Sequence, residues 1–442
     1  MQQFTAWLNM LGALVWGPAL LVLLVGTGVF YTIRLKGLQF RALPRALRLA
    51  FSRNRQSDAP GDISQFQALM TAMAATIGTG NIAGVATAVV LGGPGAIFWM
   101  WLSALFGMST KYAEAYLAVY FRVKDRNGQM AGGPMYYLEN GLGLKSLAIM
   151  FAVCGMIAAL GTGNSVQSNS VAHAVYNTFG MSHWVTGIIL SALTGLVLLG
   201  GIRGIARVAS LIVPAMALMY LAGGTIIIAL NYELVLPAVS LILHDAWAAD
   251  AVAGGAIGAV IRYGVARGVF SNEAGIGTAP IAAAAAKTNQ PQDQALVSMT
   301  GTFLDTIIVC SITGIVLVMA DQFRAGVTGA ALTSNSFEAL LPGVGGWVVT
   351  IGLIFFAYST ILGWSYYGEK CATYLFGEKA ATPYRALYTG FVMLGTTVSL
   401  DLVWALADVF NGLMAFPNLI GLLLLSGIVV HQKLPKPLSA HE

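Results

Sequence analysis

Charge is scarce in this sequence: Asp, Glu, Lys and Arg make up only 9% of its 442 residues, where a soluble chain carries about a quarter. No polar linkers divide it into the several domains expected of a soluble protein this long. Cysteine is almost absent. Cys154, Cys310 and Cys371 all fall inside apolar stretches and form no Cys-x-x-Cys pair, which speaks against a disulfide framework and against a zinc site. The five histidines lie mostly in loops, ends or the tail, with no His-Glu-x-x-His motif and no Ser–His pairing, so a membrane-embedded enzyme has no visible machinery. A channel would need a repeated pore loop or a ring of subunits, and neither is visible. No positively charged stretch precedes the first apolar run, 11–33, so no cleavable signal peptide is expected.

What is abundant is apolar length. Hydrophobic residues reach 57% and glycine 52 positions, and a bilayer core needs about 20 helical residues per crossing. The sequence therefore reads as an all-α polytopic membrane protein. Eleven spans are expected near 12–33, 65–91, 94–121, 147–178, 184–201, 208–230, 252–286, 295–320, 347–376, 384–402 and 404–431. Nineteen of the 23 basic residues then fall on one side and Arg324 alone on the other, while Lys111, Arg262 and Arg267 lie within spans. The positive-inside rule places the N-terminus outside and the C-terminus in the cytoplasm of a cell (inner) membrane protein. The net charge of +5 thus reports topology and does not indicate nucleic acid. Segment 34–55, with seven basic residues between regularly spaced leucines, reads as a basic amphipathic helix lying on the cytoplasmic leaflet.

Two spans are interrupted in corresponding places. Gly78-Thr79-Gly80-Asn81 aligns with Gly275-Ile276-Gly277-Thr278, 197 positions later. Five spans separate the two starts, so the second copy crosses in the opposite direction. The expected plan is one transmembrane domain, with 12–33 as an extra N-terminal helix, 65–230 as a first five-helix repeat and 252–431 as a second, inverted one. Each glycine weakens a helix by roughly 1 kcal/mol relative to Ala, and freed backbone groups in hydrocarbon cost several kcal/mol unless paired. Glycine pairs in membrane helices also serve close helix packing. A matched pair flanked by Asn81, Ser271, Asn272 and Glu273 points instead to a transporter site. The half-helix starting near Gly80 presents N–H groups and a positive dipole end suited to a carboxylate. The one ending near Ile77 presents carbonyls suited to Na⁺ or an ammonium.

The motifs Thr76-Ile-Gly-Thr-Gly-Asn-Ile-Ala-Gly-Val85, Leu91-Gly-Gly-Pro-Gly-Ala96, Gly132-Gly-Pro-Met-Tyr-Tyr137, Phe270-Ser-Asn-Glu-Ala-Gly275 and Gly363-Trp-Ser-Tyr-Tyr-Gly-Glu369 together resemble the alanine or glycine:cation symporter family. The resemblance runs through essentially the whole chain. It implies the LeuT-type fold in an eleven-span variant, with two discontinuous helices. It also implies Na⁺-coupled uptake of small neutral amino acids such as alanine and glycine, with H⁺ as the coupling ion in some members. No organic cofactor and no oligomer are required. Under this resemblance Thr79, Gly80 and Asn81 hold the substrate carboxylate, with Ser271 and Gly275 from the second break. Ala74 and Ile77 supply carbonyls to Na⁺, and Ser359 and Thr360 supply hydroxyls, an all-oxygen set that suits a hard cation. Hydroxyls in spans also commonly bond their own i−4 carbonyl. Gln167 is implied beside the substrate, with interhelical hydrogen bonding as its plain alternative, and Phe270 and Trp364 are implied as walls of a small pocket. Lys111 and Glu114, three apart on one helix, are expected to pair, with Arg262, Arg267, Glu273 or Asp305 as further partners.

Overall fold

The structure is a computed structural model that describes residues 2–52, 59–247, 256–398 and 401–431. It is almost wholly helical. One small antiparallel hairpin, Val123–Lys124 against Met130–Ala131, accompanies the helices. Among the described residues six helices are long and apolar enough to cross a membrane: Thr5–Arg34, Lys145–Phe179, Gly201–Leu230, Pro291–Ala320, Gly345–Phe376 and Ala405–Leu424. A seventh crossing results if Gln65–Thr76 and Gly80–Gly92, bent by 52° at their junction, count as one. Leu196, Leu199, Leu211, Leu218 and Leu230 face outward, while Asn81, Lys111, Glu114 and Asp305 are buried. That inversion of the soluble pattern is what a hydrocarbon solvent selects, because leucine is at home in lipid and polar groups must find partners inside.

Two helices stand where the sequence reading placed connections, Val235–Asp245 and Gly329–Leu340. At 11 and 12 residues they are too short to register as spans. The basic segment forms the helix Leu38–Phe51, with Arg41, Arg45 and Arg48 exposed and Ala46 and Ala50 buried. Arg53 and Arg55 of that segment, positions 252–255 of the seventh expected span and positions 399–400 of the tenth lie outside the described residues.

At one end of the molecule the chain before the first interrupted helix is joined to the chain after the second. Gln65–Thr76 begins with a capping box, in which the Ser64 hydroxyl accepts from the Gln67 N–H and the Gln67 side chain accepts from the Ser64 N–H. Just ahead of it, Ile63 bridges to Ala286. The N–H groups of Asp62 and Ile63 donate to the Ala285 carbonyl at 2.8 and 3.2 Å, and Lys287 N–H donates to Ile63 at 2.8 Å. Gly61 allows the approach, since a Cβ there would lie 2.5 Å from the Lys287 backbone. Arg122 completes the junction. Its guanidinium donates to the carbonyls of Ala284 (3.0 Å), Ala286 (2.7 Å), Pro60 (3.0 Å) and Thr288 (2.7 Å).

Candidate functional site

The first interruption is built from Ile77 to Gly84. The helix ends at Thr76, Ile77 leaves helical geometry with ψ 92°, and a π-type turn, Gly80–Gly84, restarts the chain. The backbone passes very close to the helix Gly345–Phe376: a Cβ on Gly78 would sit 2.4 Å from the Thr360 hydroxyl. Glycine is therefore required there for contact as well as for bending. Thr360 Oγ1 lies 3.1 Å from the Ala74 carbonyl, 3.3 Å from that of Ile77 and 3.0 Å from its own i−4 carbonyl on Phe356. Ser359 Oγ lies 3.5 Å from the Ile77 carbonyl and 2.9 Å from that of Phe356. The four residues expected at the cation thus meet at one buried place. Two hydroxyl protons serve three carbonyl oxygens there, so the spot is rich in lone pairs, which suits a hard cation. Among the described residues no group of three or more His, Cys, Asp or Glu could hold a metal, so a transition-metal reading has no counterpart in them.

A second polar cluster lies beside the break. Asn81 directs its carbonyl oxygen to the Gly78 N–H at 2.9 Å and its amide nitrogen to Asp305 Oδ1 at 2.7 Å. Asp305 Oδ2 accepts from Ser271 at 2.9 Å and from Thr306 at 2.7 Å. Thr306 in turn accepts from Asn272 at 3.0 Å. Asp305 is fully buried, in the middle of Pro291–Ala320, and links the first interruption to the last turn of the helix Ala256–Asn272. The sequence reading did not place it at the site. Its only signal was a lone carboxylate in an apolar run, which marks a buried group in need of partners but does not say which.

The remaining expected residues divide. Gln167 accepts from the Thr79 N–H at 3.3 Å, which places it at the break. Of the N–H groups expected to be open to a carboxylate, that of Thr79 thus already holds the Gln167 amide oxygen and that of Asn81 donates to the Gly78 carbonyl at 3.2 Å. The Thr79 hydroxyl is buried and has no hydrogen-bond partner among the described residues. Gly80 approaches the second break, its would-be Cβ 3.4 Å from Ser271 Cα and 3.5 Å from the Phe270 ring. Trp364 packs over Gly163, whose Cβ would collide with it, and meets the Tyr367 ring at 5.7 Å. Gly275 stands apart from the Asp305 cluster: its N–H donates to Glu114 at 3.0 Å and its carbonyl accepts from Asn418 at 2.9 Å. The expected Lys111–Glu114 pair does not form among the described residues. Lys111 donates to the Asn272 carbonyl at 2.8 Å, and Glu114 takes the Asn418 amide at 2.7 Å. Spacing puts both on one helix face, but partners on other helices outcompete the neighbour.

The sequence model of the sodium:alanine symporter family matches residues 1–434. The sodium/alanine symporter AgcS of Methanococcus maripaludis is 58% identical over 437 residues, covering 97% of this chain and 96% of its own. The probable sodium/glutamine symporter GlnT of Bacillus subtilis is 40% identical over 425 residues, covering 94% of this chain and 87% of its own. Among solved structures, MhsT in complex with L-phenylalanine aligns with a TM-score of 0.59 at 14% identity, over 84% of this chain and 98% of its own. A Na⁺-coupled sialic acid symporter aligns with a TM-score of 0.51 at 14% identity, over 96% and 85%. Both are LeuT-type transporters, and this chain shares that fold.

Proposed function

The chain belongs to the sodium:alanine symporter family, and from that premise we propose that it couples inward Na⁺ movement to uptake of small neutral amino acids, alanine and glycine, by alternating access. It is a multi-pass membrane transporter and no enzyme. The observation that carries the coupling is the convergence of Ala74, Ile77, Ser359 and Thr360 oxygens against an unwound segment. Na⁺ replaces the hydroxyl hydrogen bonds there, binding to oxygen lone pairs that the ion-free site can satisfy only in part. The substrate carboxylate takes the turn at Thr79, Gly80 and Asn81, with the free Thr79 hydroxyl as an added donor and Gln167, Ser271 and Asp305 around it. Phe270 and Trp364 bound the space for the side chain. Eleven crossings arranged as one extra helix and two inverted five-helix repeats, with the N-terminus outside and the C-terminus in the cytoplasm, complete the reading. The bend at the first interruption and the close approach of Gly80 to Ser271 support it.

Purified protein in proteoliposomes is expected to accumulate labelled alanine only under an inward cation gradient. Na⁺ and H⁺ gradients imposed separately distinguish the two coupling ions, and competition by glycine, alanine and glutamine ranks the substrates. Uptake that survives collapse of both gradients would rule out symport. Thr360→Ala removes one proposed cation ligand and leaves the amino-acid pocket intact. It should raise the Na⁺ concentration for half-maximal uptake roughly tenfold, the equivalent of about 1.4 kcal/mol. An unchanged Na⁺ dependence in well-folded T360A protein would place the cation elsewhere.

A further inference from the structure

The helix Leu38–Phe51 leaves the end of the spanning helix Thr5–Arg34 through a sharp turn, in which Lys36 and Gly37 both take left-handed backbone, φ 55° and 66°. Its start is pinned, because the buried Gln39 amide donates to the Thr32 hydroxyl at 2.8 Å. One face lies inside the protein. Ala46 and Ala50 are fully buried, and the helix packs on Pro291–Thr302 and on Gln65–Thr76. Ala50 shares its core with Leu69, Ala74 and Ile77, and the Phe51 ring meets that of Phe66 at 6.3 Å. The helix therefore bears directly on the element that ends at the first interruption.

The other face has no cover among the described residues. At about 100° per residue, Phe40, Pro44 and Phe51 fall in one narrow strip, with Arg48, Arg41 and Arg45 in the strip beside it. All six are exposed. Segment 34–55 has seven basic residues and no acidic one, and the protein barely engages these three arginines. Arg45 stays 3.9 Å from Asp293 with 72% of its side chain exposed. Arg41 donates only to the Leu35 carbonyl, at 3.2 Å. Arg48 makes neither a hydrogen bond nor an ion pair among the described residues. An apolar strip beside a cationic one matches the edge of an anionic leaflet, where rings enter the boundary with the acyl chains and guanidinium forks meet phosphate. Nucleic acid or an acidic protein would answer the arginines and leave two phenylalanines in water.

We propose that Leu38–Phe51 docks anionic phospholipid headgroups of the cytoplasmic leaflet through Arg41, Arg45 and Arg48, and that this docking sets the transport rate by fixing the support against which Gln65–Thr76 moves. The assignment rests on the carrier reading and its orientation. Thermal melting of the detergent-purified full chain tests the site, with dihexanoyl-phosphatidylglycerol, dihexanoyl-phosphatidylcholine or inorganic phosphate added. Only the first should raise the Tm of wild type. Arg48→Gln should need about fivefold more of it for the same rise, the effect of one basic residue at an anionic surface, and Arg48→Lys should behave as wild type. The triple variant Arg41→Gln, Arg45→Gln, Arg48→Gln should not respond. If the triple variant fails to fold, Arg48→Gln carries the test, since its side chain has no partner in the described protein to lose.

The rate is read in proteoliposomes. Wild type should take up alanine several-fold faster in two parts phosphatidylcholine to one part phosphatidylglycerol than in phosphatidylcholine alone, with an unaltered KM. Arg48→Gln should lose much of that difference while feeling the same surface potential, which separates docking from local enrichment of Na⁺. Equal Tm shifts from both lipids, or from inorganic phosphate, overturn the anionic-lipid site. Equal uptake by wild type in both membranes overturns the control of rate and leaves the carrier standing. No uptake in either membrane overturns the carrier reading, and the melting series still decides the lipid site.

Discussion

Asp305→Ala protein is expected to take up no labelled alanine above the level of empty vesicles. Three donors converge on this one carboxylate: the Asn81 amide at 2.7 Å, the Thr306 hydroxyl at 2.7 Å and the Ser271 hydroxyl at 2.9 Å. All three belong to buried residues, and each buried donor left without a partner costs about 1–3 kcal/mol. Their sum approaches the whole stability of a typical domain, about 5–15 kcal/mol. The damage also reaches the backbone, because Asn81 uses its other amide atom to hold the Gly78 N–H. An Asn81 freed from Asp305 no longer fixes the shape of the break against which the Thr360 hydroxyl and Gln167 are set. Asp305→Asn separates charge from shape. Its carboxamide oxygen can still accept from Asn81, and the Ser271 and Thr306 hydroxyls can turn to accept from its nitrogen. That variant should fold and bind with weakened affinity, as thermal melting with and without alanine would show. Wild-type uptake by Asp305→Ala would mean that the cluster is only packing.

The parts of this site legible in the sequence are those encoded by local chemistry. A Gly-x-Gly-Asn inside an apolar run announces a broken helix, because glycine entropy and an amide in hydrocarbon both need a reason. The meeting of Ala74 and Ile77 with Ser359 and Thr360 follows from no spacing rule. It was implied by resemblance, and the structure brings the four together. Asp305 lies 224 positions from Asn81, and nothing local links the two. Lys111 illustrates the same limit from the other direction. Spacing on its own helix offered Glu114, but helix packing presents Lys111 with the end of Ala256–Asn272 and Glu114 with Gly275 and Asn418. Long apolar helices were legible for the reason that membranes are: thickness fixes length. Val235–Asp245 and Gly329–Leu340 fall below that length and were invisible to the criterion.

Arg122 was counted in the sequence only as one of the basic residues that orient the chain, yet its loss should change which side of the protein is open. Its single guanidinium ties Pro60, ahead of the first interrupted helix, to Ala284, Ala286 and Thr288, behind the second. Hydrogen bonds from a charged donor are worth about 1.5–3 kcal/mol each, and in the alternating-access cycle proposed above these two segments part whenever the side proposed to be cytoplasmic opens. Arg122→Ala leaves four backbone hydrogen bonds of 2.8–3.3 Å around the Ile63–Ala286 bridge to hold the junction. Even a shift of about 1.4 kcal/mol changes the open population tenfold. Ala286 is fully buried, so a cysteine placed there reports on opening. Ala286→Cys should react slowly with a hydrophilic maleimide when Arg122 is present, and at least tenfold faster when Arg122→Ala is added. Excess Na⁺ should slow the reaction again if the cation favours the closed junction. Equal labelling rates in two proteins of equal thermal stability would show that the Arg122 bonds are static and that the cytoplasmic side opens somewhere else.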